Sequence, residues 1–263
     1  MEPSTGLPGV NVIDAGAPFR WLAAGAADFM KAARPCLAYG AVVALASFGL
    51  SYGLIQSNLA FWVLALTCGF VFIAPMLAMG LYEAGRLIEA GERPTLGRMV
   101  LLPQAFRQDV AYLGLALLLI YFMWGRIAQI VYGLSTYTLQ HTVPDLVRFA
   151  LYTSDGHNML TMGTIIGGVI AFFTYTLVVV SAPMLLDRDT NVFVATITSF
   201  RAVTQNFVPM LIWAVLIVVL LLSTALTGFL ALVIVFPWLG LASWRAYRDI
   251  VRASQSVPAG APA

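Results

Sequence analysis

Charge is scarce in this sequence. Asp, Glu, Lys and Arg make up only 10% of its residues, whereas soluble domains carry about 25%. The chain is instead 60% hydrophobic, with a mean hydropathy of +0.88. This balance excludes an ordinary soluble domain and predicts a protein that crosses the membrane several times. The net charge of +2 is too small to indicate a nucleic-acid partner.

Histidine and cysteine are also scarce, with two of each. His141 and His157 fall between predicted spans, which excludes haem or copper chemistry that needs several histidines inside the spans. Cys36 and Cys68 lie in apolar runs at different predicted depths, so neither a disulfide nor a metal site is expected. The sequence also lacks a phosphate-binding loop, a Gly-x-Ser-x-Gly elbow and a His-Glu-x-x-His pair. We therefore expect no cofactor, no metal and no enzymatic activity.

Long apolar runs, in contrast, are abundant. Four of them have the length of about twenty residues that ~30 Å of hydrocarbon requires. A fifth, at 207–241, is too long for one crossing, and we predict that it divides near Ser223-Thr224-Ala225. The sequence thus predicts an all-α membrane protein with six transmembrane helices. The four shorter runs are predicted to span at 36–55, 59–81, 110–132 and 161–186.

The distribution of Lys and Arg predicts how the chain is threaded. All but Arg126 and Arg148 of the 14 cationic residues fall before odd-numbered spans or after the last one. Because Lys and Arg in loops are retained in the cytoplasm, we predict that both termini are cytoplasmic. No cleavable signal peptide is expected in residues 1–18, which we predict to be disordered, like the small, Pro-rich tail at 253–263. Residues 19–252 would then form a single membrane domain.

Proline recurs near the cytoplasmic end of every even span, at Pro75, Pro183 and Pro237. We interpret this as three copies of one unit, in which an amphipathic segment on the cytoplasmic side precedes a two-span hairpin. Chance placement of proline at helix ends is the alternative. Each proline is predicted to kink its helix and to free a carbonyl that a neighbouring Ser, Thr or water must satisfy. The first and third copies also match at Leu77, Tyr82, Arg86 and Ile88 and at Leu239, Trp244, Arg248 and Ile250.

The first amphipathic segment is predicted at 19–34. Arg20, Asp28 and Lys31 fall on one helical face, and Phe19 and Met30 fall on the other. A helix of this kind lies in the lipid headgroups or packs on the spans of its own protein. The sequence leaves these two placements open.

Arg126 and Gln129 form the most polar pair within a predicted span. They stand one turn apart on the third span. An ionisable residue inside the membrane is a functional hypothesis by default, which here would be transport. The alternative is structural, because Arg126 lies far enough along the span for its side chain to reach the outer headgroups.

Charged residues near the even spans are the other candidates. Asp187, Arg188 and Asp189 form a turn before the next amphipathic helix. One interpretation is helix capping through Asp189 or its neighbour Thr190, with Arg188 anchored to lipid phosphate. The other is a contact surface or an ion site. Glu83 and Arg86, after the second span, are further candidate contact residues.

A distinctive series of residues begins in span four. It comprises the run APMLLDRD at 182–189, Thr198-Ser199, Arg201-Ala202-Val203, Asn206, Pro209-Met210, Trp213-Ala214, Pro237 through Trp244, Tyr247 and Arg248. This series resembles a family of predicted bacterial integral membrane proteins of unknown function, some of them labelled as similar to cytochrome c oxidase subunit I. The resemblance implies a multi-pass protein of the bacterial inner membrane but no particular activity. The histidines of the family near the last span are replaced here by Leu241 and Arg245, so the oxidase label does not fit.

Two functions are therefore weighed. We favour a non-enzymatic scaffold or assembly partner that acts through its cytoplasmic surface helices and the 187–189 turn. Its expected partners are the lipid bilayer and either another membrane protein or a second copy of the chain. The alternative is a small-solute transporter or channel, which needs a polar, water-accessible cavity at mid-membrane. Its pathway, between the three hairpins, would be lined by Ser181, Thr174, Tyr175 and Arg126.

Overall fold

The computed structural model describes residues 7–136, 140 and 142–252. Within these residues the chain is helical, apart from loops and one isolated bridge between Val10 and Val251. Short 3-10 turns occupy Pro103–Phe106 and Thr224–Thr227. The α-helices are α1 Ala17–Lys31, α2 Ala33–Gln56, α3 Ala60–Leu77, α4 Met79–Glu89, α5 Leu96–Val100, α6 Gln108–Ser135, α7 Val143–Tyr152, α8 Ser154–Val178, α9 Ser181–Asp187, α10 Val192–Gln205, α11 Phe207–Ser223 and α12 Leu232–Ile250.

Five helical segments in the described residues are long and apolar enough to cross a membrane. They are α2, α3, α6, the α8–α9 segment and α11 with the turn that follows it. This agrees with the predicted all-helical membrane protein. The apolar run at 207–241 does divide where predicted, because α11 ends at Ser223 and Gly228 turns the chain in the left-handed region at φ 60°. The sixth predicted span corresponds to the first half of α12, whose second half is charged.

The two described ends of the chain meet at one end of the helical bundle. Val10 bridges Val251, and the Asn11 N–H donates to the Ile250 carbonyl at 2.8 Å. These contacts hold residues 7–16 in place, in contrast to the disorder that the sequence predicts for residues 1–18. The predicted tail at 253–263 lies outside the described residues. We call this end of the bundle the charged end, because the ion pairs described below lie there.

Helix α1 packs on protein along one face. Gly25 lies so close to α12 that a Cβ atom built on it would be 2.7 Å from the Cβ of Ala242. The Trp21 indole donates to Asp249 at 2.9 Å. Phe19 remains 57% exposed on the other side. The inner face of α1 therefore packs on the protein itself, which is one of the two placements that the sequence left open. The aromatic face with Phe19 remains exposed.

Two of the three prolines accompany interrupted helices. The α3–α4 segment breaks at Ala78, so the Leu81 N–H bonds to the Ala78 carbonyl rather than to that of Leu77. The Tyr39 hydroxyl donates to the free Leu77 carbonyl at 2.7 Å. Helix α12 instead runs unbroken through Pro237. Of the three predicted kinks, those near Pro75 and Pro183 correspond to breaks between helices, whereas the helix is not interrupted at Pro237.

The break between α8 and α9 is held open by a side chain. Ser199 of α10 is completely buried, and its hydroxyl donates to the Thr176 carbonyl at 2.8 Å and accepts from the Val180 N–H at 3.2 Å. These two backbone groups would bond to each other in a continuous α-helix. Ser199 thus inserts into the helical hydrogen-bond ladder, one of the known causes of helix interruption.

Candidate functional site

The segments that follow the three prolines converge at the charged end. Helices α4, α9 and α12 contact one another there, and their polar side chains meet in one group. We call this group the charged cluster. It consists of Glu83, Arg86, Glu89, Asp187, Arg188, Tyr247 and Arg248.

Arg248 and Tyr247 of α12 connect the other two helices. The Arg248 guanidinium lies 2.9 Å from Glu89 of α4 and 3.5 Å from Asp187 of α9. The Tyr247 hydroxyl donates to Asp187 at 2.6 Å and accepts from Nε of Arg188 at 3.0 Å. Burial, reinforced by the hydrogen bond to Asp187, raises the pKa of Tyr247. The hydroxyl therefore stays protonated and able to donate.

Glu83 and Arg86 form a separate pair on α4. Two parallel hydrogen bonds of 2.7 Å join Nε and Nη2 of Arg86 to the two carboxylate oxygens of Glu83. Glu83 is only 4% exposed. A buried carboxylate needs such a bidentate partner, because an unpaired charge at this depth would be strongly destabilising.

The charged cluster contains no unpaired charge. Its three acids and three cations all take part in ion pairs within it. No group of three or more His, Cys, Asp or Glu side chains in the described part of the chain is arranged to hold a metal. The arrangement can therefore join three helices, but it offers no free acid, base or cation for chemistry.

The structure contradicts the interpretation of the 187–189 turn as a helix cap. The N-cap of α10 is Asn191, whose side chain accepts from the Val194 N–H at 2.8 Å, rather than Asp189 or Thr190. Asp189 forms an ion pair with Arg107 instead. Arg188 points into the charged cluster and not toward lipid phosphate. An asparagine before the helix was a signal that could have identified this cap.

A second buried ion pair joins α1 to α12. Asp28, which is 1% exposed, bonds to Arg245 and to Nζ of Lys31 at 2.9 Å. Burial acts to raise the pKa of Asp28, but its bonds to the two cations outweigh burial and lower it. Helical periodicity predicts Asp28 on the polar face of α1, and Arg245 was singled out only in the resemblance described above. Neither observation predicts that the two side chains are in contact.

Arg126 and Gln129 lie apart from both clusters. Nη1 of Arg126 donates to the Gln129 side chain at 3.1 Å, and both residues are exposed on α6. His157, in the first turn of α8, contacts the Leu151 carbonyl of α7 at 2.9 Å. His141 lies outside the described residues. The polar pair of span three is thus on the surface of the bundle.

An apolar cavity of about 580 Å³ lies between α3, α6, α8, α11 and α12. Among the predicted pathway residues, Thr174 and Tyr175 line it, whereas Ser181 and Arg126 do not. The Thr174 hydroxyl donates to the Ile170 carbonyl at 2.8 Å, and the Tyr175 hydroxyl donates to that of Met210 at 2.8 Å. Both hydroxyls are therefore engaged by backbone. No charged residue lines the cavity.

Comparison with known proteins gives a family but no activity. Residues 63–187 match the family described as "Predicted integral membrane protein (DUF2189)". The match covers a little under half of the chain, and over this segment the chain is similar to an uncharacterised family of integral membrane proteins. No curated protein and no solved structure matches the chain.

The segment that matches this family runs from α3 to α9. It therefore includes the α4 and α9 parts of the charged cluster, but not Tyr247 and Arg248 of α12. The residues that sequence reasoning missed are Glu89 and Tyr247 together with Trp244, which donates to Glu89 at 3.1 Å. The spacing of Trp244, Tyr247 and Arg248, which places them on one face of a helix, could have identified them.

Proposed function

We propose that this integral membrane protein is a non-enzymatic scaffold or assembly partner, acting through helix contacts within the membrane. The proposal rests on the observation that the buried polar groups described above bond to other groups of the same chain. In the charged cluster each charge has an intramolecular partner. This leaves contact surfaces, rather than a reaction centre, as the means by which the protein acts.

The contact surface that we propose is the half of α2 far from the charged end, residues 45–56. No residue in this range is buried, although α2 packs on α12 through Gly40 and Ala44. A Cβ atom added to Gly49 or Gly53 would meet nothing within 4 Å. Glycines four residues apart allow a second helix to approach closely. The predicted Asp187 and Arg188 surface is less suitable, because those side chains are already engaged.

Photocrosslinking in native membranes tests this proposal. A benzophenone amino acid replaces Phe48, which is 53% exposed on α2, and in a matched control replaces Leu119, which is 60% exposed on α6. We expect a discrete protein adduct, either a second copy or another membrane protein, from position 48 and lipid adducts alone from position 119. Lipid adducts alone from both positions would overturn the proposal.

We also propose six crossings, with both termini in the cytoplasm of a bacterium. The bridge between Val10 and Val251 places both described ends at the same end of the bundle. An even number of crossings is then required, which supports α12 as the sixth span beside the five apolar segments. The cationic residues at this end support a cytoplasmic location. Labelling of single cysteines at position 136 or 142 and beside Arg252 tests it, because reagent access to both from the same side would contradict it.

Transport of a polar solute receives less support. The cavity between the helices is apolar, and Arg126 lies outside it. Replacement of Arg126 by Leu is expected to leave both membrane abundance and any transport activity unchanged. Loss of an uptake activity at normal abundance would favour the transporter instead.

A further inference from the structure

The apolar cavity described above is elongated. On α8 its lining runs from Met159 to Val178, which is roughly 28 Å at helical rise. Its volume of about 580 Å³ extends over that length and lies within the range of ligand sites. A cavity of this shape fits one extended chain better than a compact ligand.

Between α8 and α11 the cavity is closed at the charged end and open at mid-membrane. At the charged end the Tyr175 hydroxyl lies 2.8 Å from the Met210 carbonyl, and the rings of Phe172 and Phe207 are 5.9 Å apart. In the middle of α11, Val215 lines the cavity and is 53% exposed. A ligand therefore enters sideways, from the hydrocarbon of the bilayer and not from its headgroups.

The lining contains one buried hydroxyl without a partner among the described residues. It belongs to Tyr82 of α4, which is 5% exposed and lies at the charged end of the cavity. The hydroxyls of Thr174, Tyr175 and Ser243 in the same lining each donate to a backbone carbonyl. Unlike Nε1 of Trp213, which is unpartnered and completely enclosed, the Tyr82 hydroxyl is still accessible.

This hydroxyl is a hydrogen-bond donor that a ligand can satisfy. Burial raises the pKa of Tyr82, so the hydroxyl stays protonated. A buried donor that lacks a partner is destabilising. Water is a poor partner here, because a buried water needs several polar groups and the neighbouring hydroxyls already donate to backbone. An acceptor oxygen attached to an apolar chain fits both the donor and the lining.

The lining also restricts the charge of the ligand. None of the described charged residues lines the cavity. Glu83 and Arg86, which follow Tyr82 on α4, bond to each other. A charged group beside Tyr82 would therefore be buried without a partner, which is strongly unfavourable. The polar end of the ligand is thus uncharged.

We infer that this cavity binds an uncharged lipid with a single hydrocarbon chain that carries an acceptor oxygen, as an alcohol or a carbonyl, at one end. The oxygen accepts from the Tyr82 hydroxyl, and the chain extends along α8 away from the charged end. The inference does not depend on the scaffold proposal, because α2 does not line the cavity. Failure of either experiment therefore leaves the other proposal intact.

Retention of lipids by the purified full chain tests the polar contact. The protein is delipidated in mild detergent and offered equal amounts of oleyl alcohol, a methyl ketone of the same length and octadecene. The molecules that co-elute with it are quantified by gas chromatography. We expect the alcohol and the ketone to be retained about fivefold over octadecene, the factor that one hydrogen bond contributes. Retention of only one of them over octadecene would identify the acceptor as a hydroxyl or a carbonyl.

Tyr82→Phe should remove the preference for the oxygen-bearing lipids. Tyr52→Phe is the matched control, because Tyr52 is 55% exposed on α2, outside the cavity; it should keep the preference. Equal retention of all three lipids by the unmodified chain, or an unchanged preference in Tyr82→Phe, would overturn the inference.

The chain position is tested with a filled cavity. Ala171→Phe places a bulky side chain in the lining, and Leu119→Phe makes a comparable change on the exposed face of α6 outside it. We expect retention of oleyl alcohol to be lost in the first variant and kept in the second. Equal retention in both would contradict binding in the cavity.

A measurement on the unmodified chain covers the case in which Ala171→Phe fails to fold. Two analogues of oleyl alcohol carry a diazirine beside the hydroxyl or at the methyl end, and each is crosslinked in phosphatidylcholine vesicles. We expect the first to label 74–82 and 239–243, and the second to label 160–168. Reversed or evenly spread labelling would overturn the inference, as would stronger labelling by phosphatidylcholine that carries the diazirine on its acyl chain.

Discussion

Replacing Ser199 by Ala should destabilise the bundle more than its small change in volume suggests. The Ser199 hydroxyl links the Val180 N–H and the Thr176 carbonyl, and all three residues are at most 6% exposed. Each buried polar group that loses its partner costs about 1–3 kcal/mol. Because two groups lose theirs, and because the broken turn can partly reclose, we expect the free energy of unfolding to fall by about 2–4 kcal/mol.

Unfolding by sodium dodecyl sulfate in mixed micelles, followed by circular dichroism, measures this loss. Ser243→Ala is the matched control. The Ser243 hydroxyl donates to the Leu239 carbonyl one turn earlier at 2.8 Å, and α12 is continuous there. Its removal leaves the backbone bond of that carbonyl in place, so we expect a loss below about 1 kcal/mol. Equal stability of the two variants would refute the proposed role of Ser199 in the break.

Three further predictions concern helix packing and the paired charged groups. Gly40→Val should disrupt the contact between α2 and α12, because a Cβ at Gly40 would lie 2.3 Å from the Val233 carbonyl oxygen. We expect a lower yield of folded protein in size-exclusion chromatography. A normal yield would contradict the close contact. Tyr247→Phe should lower the unfolding free energy by about 1.5–3 kcal/mol, since it removes two hydrogen bonds to charged groups, whereas unchanged stability would show that they contribute nothing. The two cations beside Asp28 lower its pKa in the folded state. The stabilisation of the fold by ionised Asp28 should therefore be complete above the unfolded pKa of about 3.9 and should disappear as the pH falls through the lower folded value. Asp28→Asn should flatten this acid dependence of the unfolding midpoint.

Hydropathy and chain length predict much of this fold, because crossing a bilayer imposes a simple local requirement. Each span needs about twenty apolar residues with their backbone bonds satisfied within the helix. The division of the last apolar run is likewise visible in Ser223 and Thr224, which follow the apolar residues of α11. Such features depend on neighbours in sequence, so one sequence suffices to locate them.

The charged cluster was only partly predictable, because its bonds join distant parts of the chain. Tyr247 and Asp187 are 60 residues apart, and Arg245 and Asp28 are 217 apart. Helical periodicity assigned Asp28 to a polar face and therefore to water or headgroups. The structure buries Asp28, while Arg20 and Lys31 of that face stay exposed, because Gly25 allows α12 to approach this part of α1 closely. Periodicity records which residues share a face, but not which other helix covers that face.

The breaks after α3 and α8 and the charged cluster depend on each other. A straight continuation would carry α4 and α9 along the axes of their spans, whereas the breaks near Pro75 and Pro183 let both turn toward α12. Each break exposes backbone groups that side chains of other helices satisfy, namely half-buried Tyr39 from α2 and buried Ser199 from α10. The polar bonds that hold the breaks therefore also position the ion pairs beyond them. Because the charges of the charged cluster are paired internally, we propose the lipid-facing surfaces, rather than this cluster, as the sites at which partners bind.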